Sequence, residues 1–188
     1  MNRIILISGK SCSGKTTIGD YLTLKHKYTH FSFADSLKDH TSKKYNFTKE
    51  LCYTQNGKKE IIKNENKSVR ELLISEALFL KKQDKYFFVK ETCKRILKDQ
   101  KEKSNKNMYS KIVISDTRYP EEIEYISSNL RDENTLIDVF RINRINYNKI
   151  DDPSECQLDG YDYIFDYIIN NDHDLDVLYN TVDSLLII

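Results

Sequence analysis

The octapeptide Gly9-Lys10-Ser11-Cys12-Ser13-Gly14-Lys15-Thr16 fits G-x-x-x-x-G-K-[ST] at every fixed position, and no other stretch restricts the fold as strongly. Two glycines let the backbone turn tightly so that consecutive N–H groups point inward, and a helix starting at the end of the loop adds its positive dipole end. Such a cradle takes phosphate oxygens. The phosphate-binding set is then Gly9, Lys10, Ser11, Cys12, Ser13, Gly14, Lys15, Thr16 and Thr17. In it Lys15 reaches the β- and γ-phosphates, while the Thr16 hydroxyl ligates Mg²⁺. The flanks suit this role. Arg3-Ile4-Ile5-Leu6-Ile7 is a short apolar run fit for a buried parallel strand, and Ile18, Tyr21, Leu22 and Lys25 recur at helical spacing. Lys25-His26-Lys27 brings cations to the carboxyl end of that helix.

Strand and helix patterns alternate along the rest of the chain. Thr29 to Ala34 alternates polar and apolar residues and reads as a second strand ending at Asp35. Broken helix is expected to about Tyr53, then a turn at Asn56-Gly57. Val69, Leu72, Leu73, Ala77 and Leu80 form one apolar stripe, and Tyr86, Val89, Cys93, Ile96 and Leu97 form another. The polar run from Lys98 to Asn107 reads as a solvated loop. Lys111-Ile112-Val113-Ile114-Ser115 is a third strand that leads into Asp116, and Pro120 opens a helix with Ile123, Ile126 and Leu130 on its buried side. Leu136 to Arg141 makes a fourth strand, 143–160 reads as a lid-like loop, and Tyr163 to Ile169 makes a fifth strand. Asn171 or Asp172 is expected to cap a last helix carrying Leu175, Leu178, Val182, Leu185 and Leu186. The whole predicts one α/β domain over 1–188: a doubly wound, parallel five-stranded sheet with helices on both faces, a helical region at about 36–99 and the lid at about 143–160.

Composition narrows the setting. A net charge of +1 over 188 residues gives no basic field for nucleic acid or a membrane surface, so functional cations must be local. Cys12, Cys52, Cys93 and Cys156 are scattered, without a C-x-x-C pair, which suits a reducing compartment. The run into the phosphate loop is too short for a secretory leader, and no apolar run nears the ~20 residues that span a bilayer. A cytoplasmic setting is expected, and self-association to a homodimer stays open.

In open α/β sheets, ligands bind beyond the carboxyl ends of the strands, so Asp35, Lys38, Asp116 and Arg118 are candidates by topology. Asp116 is placed to hold a metal ion with Thr16, and Arg118 to fork onto a phosphate. Lys15, Lys38, Arg70, Arg118, Arg141 and Arg144 could spread positive charge around a phosphoryl group in transit. Asp35 could orient an acceptor. Catalytic roles are expected for Lys15, Asp35 and Arg118. One competing motif, N-K-x-D at Asn148-Lys149-Ile150-Asp151, would suit guanine recognition, but Asp116 lacks the D-x-x-G glycine that a switch GTPase needs.

Several separated blocks together resemble the phage-type deoxynucleoside monophosphate kinases, whose fold is shared with animal-type phosphomevalonate kinase. They are SGKSCSGK at 8–15, FADSLK at 33–38, VRELL at 69–73, DKYFFVK at 84–90, VISDTRYP at 113–120, DPSECQLD at 152–159 and FDYIIN at 165–170. The resemblance implies ATP and Mg²⁺, with a phosphorylated small molecule as acceptor and a deoxynucleoside monophosphate favoured by FADSLK. It implies that Lys38 and Arg118 face the acceptor, with Arg141 and the following loop over the donor; from their positions alone, Asp35 and Arg70 join the candidate acceptor set and Arg144 the donor set. The chain departs from the family pattern at Thr16, where Asp is common, at Cys12, where a basic residue is common, and at Asp152, where the phage pattern reads H-x-S-E. The 152–159 block is as close to phosphomevalonate kinase, which differs in its acceptor. A nucleotide-binding regulatory protein without transferase activity is the reading from another class.

Overall fold

The computed structural model describes residues 1–145 and 155–187. The chain divides into two compact units, one of residues 1–32 and 93–188, the other of residues 33–92.

The first unit holds the sheet. Its strands are β1 (Asn2–Gly9), β2 (Thr29–Phe31), and three more numbered after a short hairpin of the second unit, β3 (Ile61–Ile62) and β4 (Lys67–Ser68). They are β5 (Lys111–Thr117), β6 (Thr135–Asn143) and β7 (Tyr167–Asn170). The order is β2-β5-β1-β6-β7, and each pairing in it is parallel. From β1 the chain crosses to the edge strand β2, returns to β5 beside β1, and then adds β6 and β7 on the other side, as expected of a doubly wound α/β fold.

Alternation along the strands sets the two faces. Ile5, Ile7, Val113, Phe140 and Ile142 form one core with Ile18 and Leu22 of α1 (Lys15–His26) and with Leu178 and Val182 of a carboxyl-terminal helix, Leu175–Leu186. Tyr21 and Tyr179 stack between those two helices at 3.9 Å. Ile4, Leu6, Ile112, Ile114, Ile137 and Val139 point the other way and are buried as well. The helix Pro120–Leu130 packs beside β6 with Ile123, Ile126 and Leu130 buried.

The second unit contains α2 (Ala34–Lys44), two 3₁₀ turns (Lys49–Cys52 and Gly57–Lys59), the β3-β4 hairpin and α3 (Val69–Gln83). A capping box fixes the start of α3, with Ser68 Oγ accepting from Glu71 N and the Glu71 carboxylate accepting from Ser68 N. Helix α4 (Phe87–Ser104) runs from this unit into the first, and the two later helices are α5 (Pro120–Leu130) and α6 (Leu175–Leu186).

Several local expectations are corrected. β2 ends at Phe31, because Ser32 turns its hydroxyl to Asp116 Oδ2 at 2.6 Å, so Asp35 stands in the first turn of α2 rather than at a strand end. The polar residues 98–104 are helical, with Asp99 bonded to Ser110 Oγ at 2.5 Å and Arg95 over the Phe31 ring at 4.8 Å. Lys, Glu and Gln are good helix formers, and tertiary anchors decide what polarity alone leaves ambiguous. Leu97 is exposed. Residues 162–164 form a 3₁₀ turn and only Tyr167–Asn170 is strand. Asp174, not Asn171 or Asp172, caps α6 by accepting from Val177 N at 3.0 Å. Of the expected lid, residues 146–154 lie outside the described residues, and with them the N-K-x-D tetrad and Asp152. Among the described residues no helix is long and apolar enough to cross a membrane.

Candidate functional site

The 9–16 loop leaves the carboxyl end of β1 and feeds directly into α1, which begins at Lys15. Gly14 is the N-cap residue with φ of 106°, a conformation L side chains rarely take, and an added Cβ there would run into the Asn171 side-chain amide. At Gly9 an added Cβ would stand 2.5 Å from Ile142 O. The loop is thus a cradle that side chains would fill. Asn171 is the residue that shapes it from outside, since its Nδ2 donates to Ser13 O at 2.8 Å in a buried bond. Cys12 sits at φ of 60°, a left-handed position taken by a residue other than glycine.

Lys15 folds back over the loop and donates to Gly9 O at 2.6 Å and Lys10 O at 2.7 Å. Burial lowers its ammonium below the usual lysine value, Glu155 opposes that, and Arg118 and Arg141 lower it further. Two arginines, one just past β5 and one on β6, therefore bear on the loop lysine. Arg118, just beyond β5, places NH2 3.2 Å from Glu155 Oε1, and the other carboxylate oxygen accepts from Ser11 N. The Glu155 side chain is 8% exposed. Its carboxylate is held by a loop N–H and a guanidinium, two kinds of group that also bind phosphate oxygens.

Arg141, near the end of β6, is buried and donates to Ser8 Oγ at 3.2 Å and Asp159 Oδ1 at 2.6 Å. Lys10 Nζ takes the second Asp159 oxygen at 3.0 Å. Burial pushes the Asp159 carboxyl up, but Lys10 and Arg141 outweigh it and the net shift is downward. Arg144 is exposed and reaches Cys12 O at 3.5 Å. Beside the loop lies a cavity of about 680 Å³ lined by Cys12, Lys15, Thr16, Arg144, Asn171 and His173 among others. Thr16 and Thr17 both face it.

Asp116 accepts from Ser32 Oγ, and its place near the carboxyl end of β5 is the one expected of it. Among the described residues no group of three or more His, Cys, Asp or Glu side chains could hold a metal ion alone. Thr16 and Asp116 are the residues that would hold Mg²⁺, a hydroxyl and a carboxylate sharing the ion with water and phosphate oxygens.

Asp35, Lys38 and Arg70 belong to the second unit. Lys38 Nζ is 3.6 Å from Asp35 Oδ1 and 4.4 Å above the Tyr53 ring. Arg70 is exposed and donates to Gln55 Oε1 at 2.7 Å. Within the first unit the structure gathers residues 9–17, Asp116, Arg118, Arg141 and Arg144 at one sheet edge. The sequence pattern does not single out Asn171 as a loop support or Glu155 and Asp159 as partners of these cations. Only the tertiary pairing of β6 with β1, and of β7 with β6, brings them there.

No family model matches the chain, and no curated protein matches it. Among solved structures it is similar to dephospho-CoA kinase from Campylobacter jejuni, with a TM-score of 0.55 and 14% identity over 99% of this chain and 96% of that one. A protein assigned as a kinase from Chloroflexus aurantiacus gives a TM-score of 0.46 and 12% identity, covering 98% of this chain and 96% of that one. The likeness to the Campylobacter enzyme is one of fold, and it spans the five-stranded parallel sheet and its helices.

Proposed function

We propose that this chain transfers the γ-phosphoryl group of ATP to a deoxynucleoside monophosphate, giving the diphosphate. One observation carries the reading: Lys15, Arg118 and Arg141 bear on a glycine-framed loop whose Ser11 N–H already holds a carboxylate. Phosphoryl transfer needs little covalent help and much positioning and positive charge. In this reading Lys15 leaves the Gly9 and Lys10 carbonyls for the phosphates. Arg118 exchanges Glu155 for a phosphate oxygen, and Arg141 and Arg144 border the donor. Thr16 and Asp116 would hold Mg²⁺, which supplies charge neutralisation between the phosphates when bound. Asp35, Lys38 and Arg70 bind the acceptor, with Asp35 orienting it. A phosphate acceptor is already anionic near neutral pH, so no strong base is required.

The FADSLK likeness supports a deoxynucleoside monophosphate, while the 152–159 block supports 5-phosphomevalonate as a second acceptor. A coupled ADP-release assay decides, with the four dNMPs, 5-phosphomevalonate and dephospho-CoA offered in turn. Turnover of a dNMP is expected. Turnover of 5-phosphomevalonate alone reassigns the acceptor, and tight ATP binding with no acceptor-dependent ADP release points to a regulatory nucleotide-binding protein.

A further inference from the structure

Lys58 is a half-buried lysine that stands among like charges in the second unit. It lies in the 3₁₀ turn Gly57–Lys59, whose backbone is pinned to the preceding segment. Lys58 N donates to Thr54 O at 3.0 Å and Gly57 N to Thr54 Oγ1 at 2.9 Å. A Cβ at Gly57 would stand 2.6 Å from Leu51 O, so the turn packs this closely only because residue 57 is glycine. The same short segment carries Tyr53, whose ring lies under Lys38 Nζ, and Gln55, which accepts from Arg70. Cations from α2, from the 3₁₀ turn and from α3 are thereby attached to one loop.

Their compensation is uneven. Lys38 has Asp35 at 3.6 Å, and Arg70 donates to the neutral Gln55 amide. Among the described residues the Lys58 ammonium has no hydrogen bond or ion pair with a carboxylate; the cations that act on it are Lys38 and Arg70, and only the buried Cys52 thiol, the smallest influence, acts the other way. Burial and those two cations hold it below the usual lysine value. A partly desolvated cation facing cations is unfavourable alone and is relieved by an anion that all three can share. A phosphate monoester brings up to two negative charges and several acceptor oxygens, matching an arginine fork and two ammonium groups.

We propose that Lys58 joins Lys38 and Arg70 in binding the phosphate of a phosphomonoester acceptor, and that it sets the affinity for that acceptor. The proposal rests on the kinase reading above for the word acceptor, and on the second unit alone for the site. The test is calorimetric titration of wild type, Lys58→Met, Lys58→Arg and Lys59→Met. Each receives the four dNMPs, 5-phosphomevalonate, and their dephosphorylated counterparts, and KM and kcat come from ADP release.

Lys58→Met should bind the phosphomonoester about 10-fold more weakly and raise its KM to match, as expected for loss of one charge-assisted contact, with kcat little changed. Lys58→Arg should recover part of the loss. Lys59→Met, at an exposed neighbour, should match wild type, and the dephosphorylated compounds should not distinguish the variants. Amide NMR of the wild-type protein supplies a readout that needs no variant to fold. The Gly57, Lys58 and Arg70 resonances should shift with the phosphomonoester and not with its dephosphorylated form. Equal phosphomonoester affinity in Lys58→Met and wild type overturns the proposal, as does wild type that binds no phosphomonoester. Lys58-dependent binding without ATP-dependent turnover keeps the site and removes the kinase reading. Turnover with a KM indifferent to Lys58→Met does the reverse.

Discussion

Glu155→Gln should make the protein bind ATP more tightly. In the wild type the carboxylate is 8% exposed, with one oxygen accepting from Ser11 N and the other 3.2 Å from Arg118 NH2. Hydrogen bonds to an ionised group contribute about 1.5–3 kcal/mol and neutral ones about 0.5–1.5 kcal/mol. Glutamine keeps the neutral part. Arg118 is 37% exposed, which places its pairing at the lower end of that range, so the substitution removes about 1–2 kcal/mol of self-occupation. A phosphate that needs the same N–H must displace the side chain first, and the difference returns as affinity, about 5- to 30-fold. Titration with a fluorescent ATP analogue at fixed ionic strength and Mg²⁺ reads it directly, with thermal melts confirming that the variant folds. Unchanged or weaker binding by a folded Glu155→Gln protein would refute the idea that this carboxylate holds a phosphate position.

Other consequences are more local. Lys15→Ala should lower kcat by about 10²-fold or more while the fold survives, because it removes charge stabilisation from the transferring group, and steady-state kinetics against dNMP will show it. Gly14→Ala should cost about 2–4 kcal/mol, from backbone strain at φ of 106° and displacement of Asn171 from Ser13 O, read as a lower Tm and lost ATP binding. In the second unit, Glu76 is 3% exposed and accepts from Lys44 Nζ at 2.6 Å, Tyr45 OH at 2.7 Å and His40 Nε2 at 3.1 Å. Burial pushes its carboxyl up, but these partners prevail and the net shift is below the ordinary 4.5, so its contribution is present above about pH 4.5 and lost as pH falls through the folded value. Denaturant melts should show Glu76→Ala losing about 1–3 kcal/mol at pH 7, a modest figure since Lys44 and His40 are partly solvated, and less at pH 3. An equal loss at both pH values would contradict that assignment.

The loop and the alternation around it are legible in the sequence because each depends on neighbours a few residues apart. Gly9, Gly14 and Lys15 announce a cradle, and Ile4, Ile5, Leu6 and Ile7 announce a strand buried on both faces. Asp116 and Arg118 follow from strand ends and topology. What the pattern hides are side chains whose partners come from afar. Asn171 looks like a helix cap, yet it braces Ser13 across the sheet from β7. Glu76 sits on the apolar stripe of α3 and is buried there because three groups from the α2 region converge on it. Lys58 reads as one lysine in a polar run until the glycine before it is seen locking the turn. The helical residues 98–104 were hidden for the opposite reason, since their polarity says nothing about the anchors at Asp99 and Arg95.

The most direct measurement of the central claim follows the phosphoryl group itself. Purified protein is incubated with Mg²⁺ and ATP labelled at the γ-phosphate, with each dNMP added singly, and the products are separated by chromatography. Label should appear in a deoxynucleoside diphosphate, in step with ADP formation, and vanish with Lys15→Ala. Label that stays in ATP, or passes only to inorganic phosphate, with every dNMP would contradict the assignment.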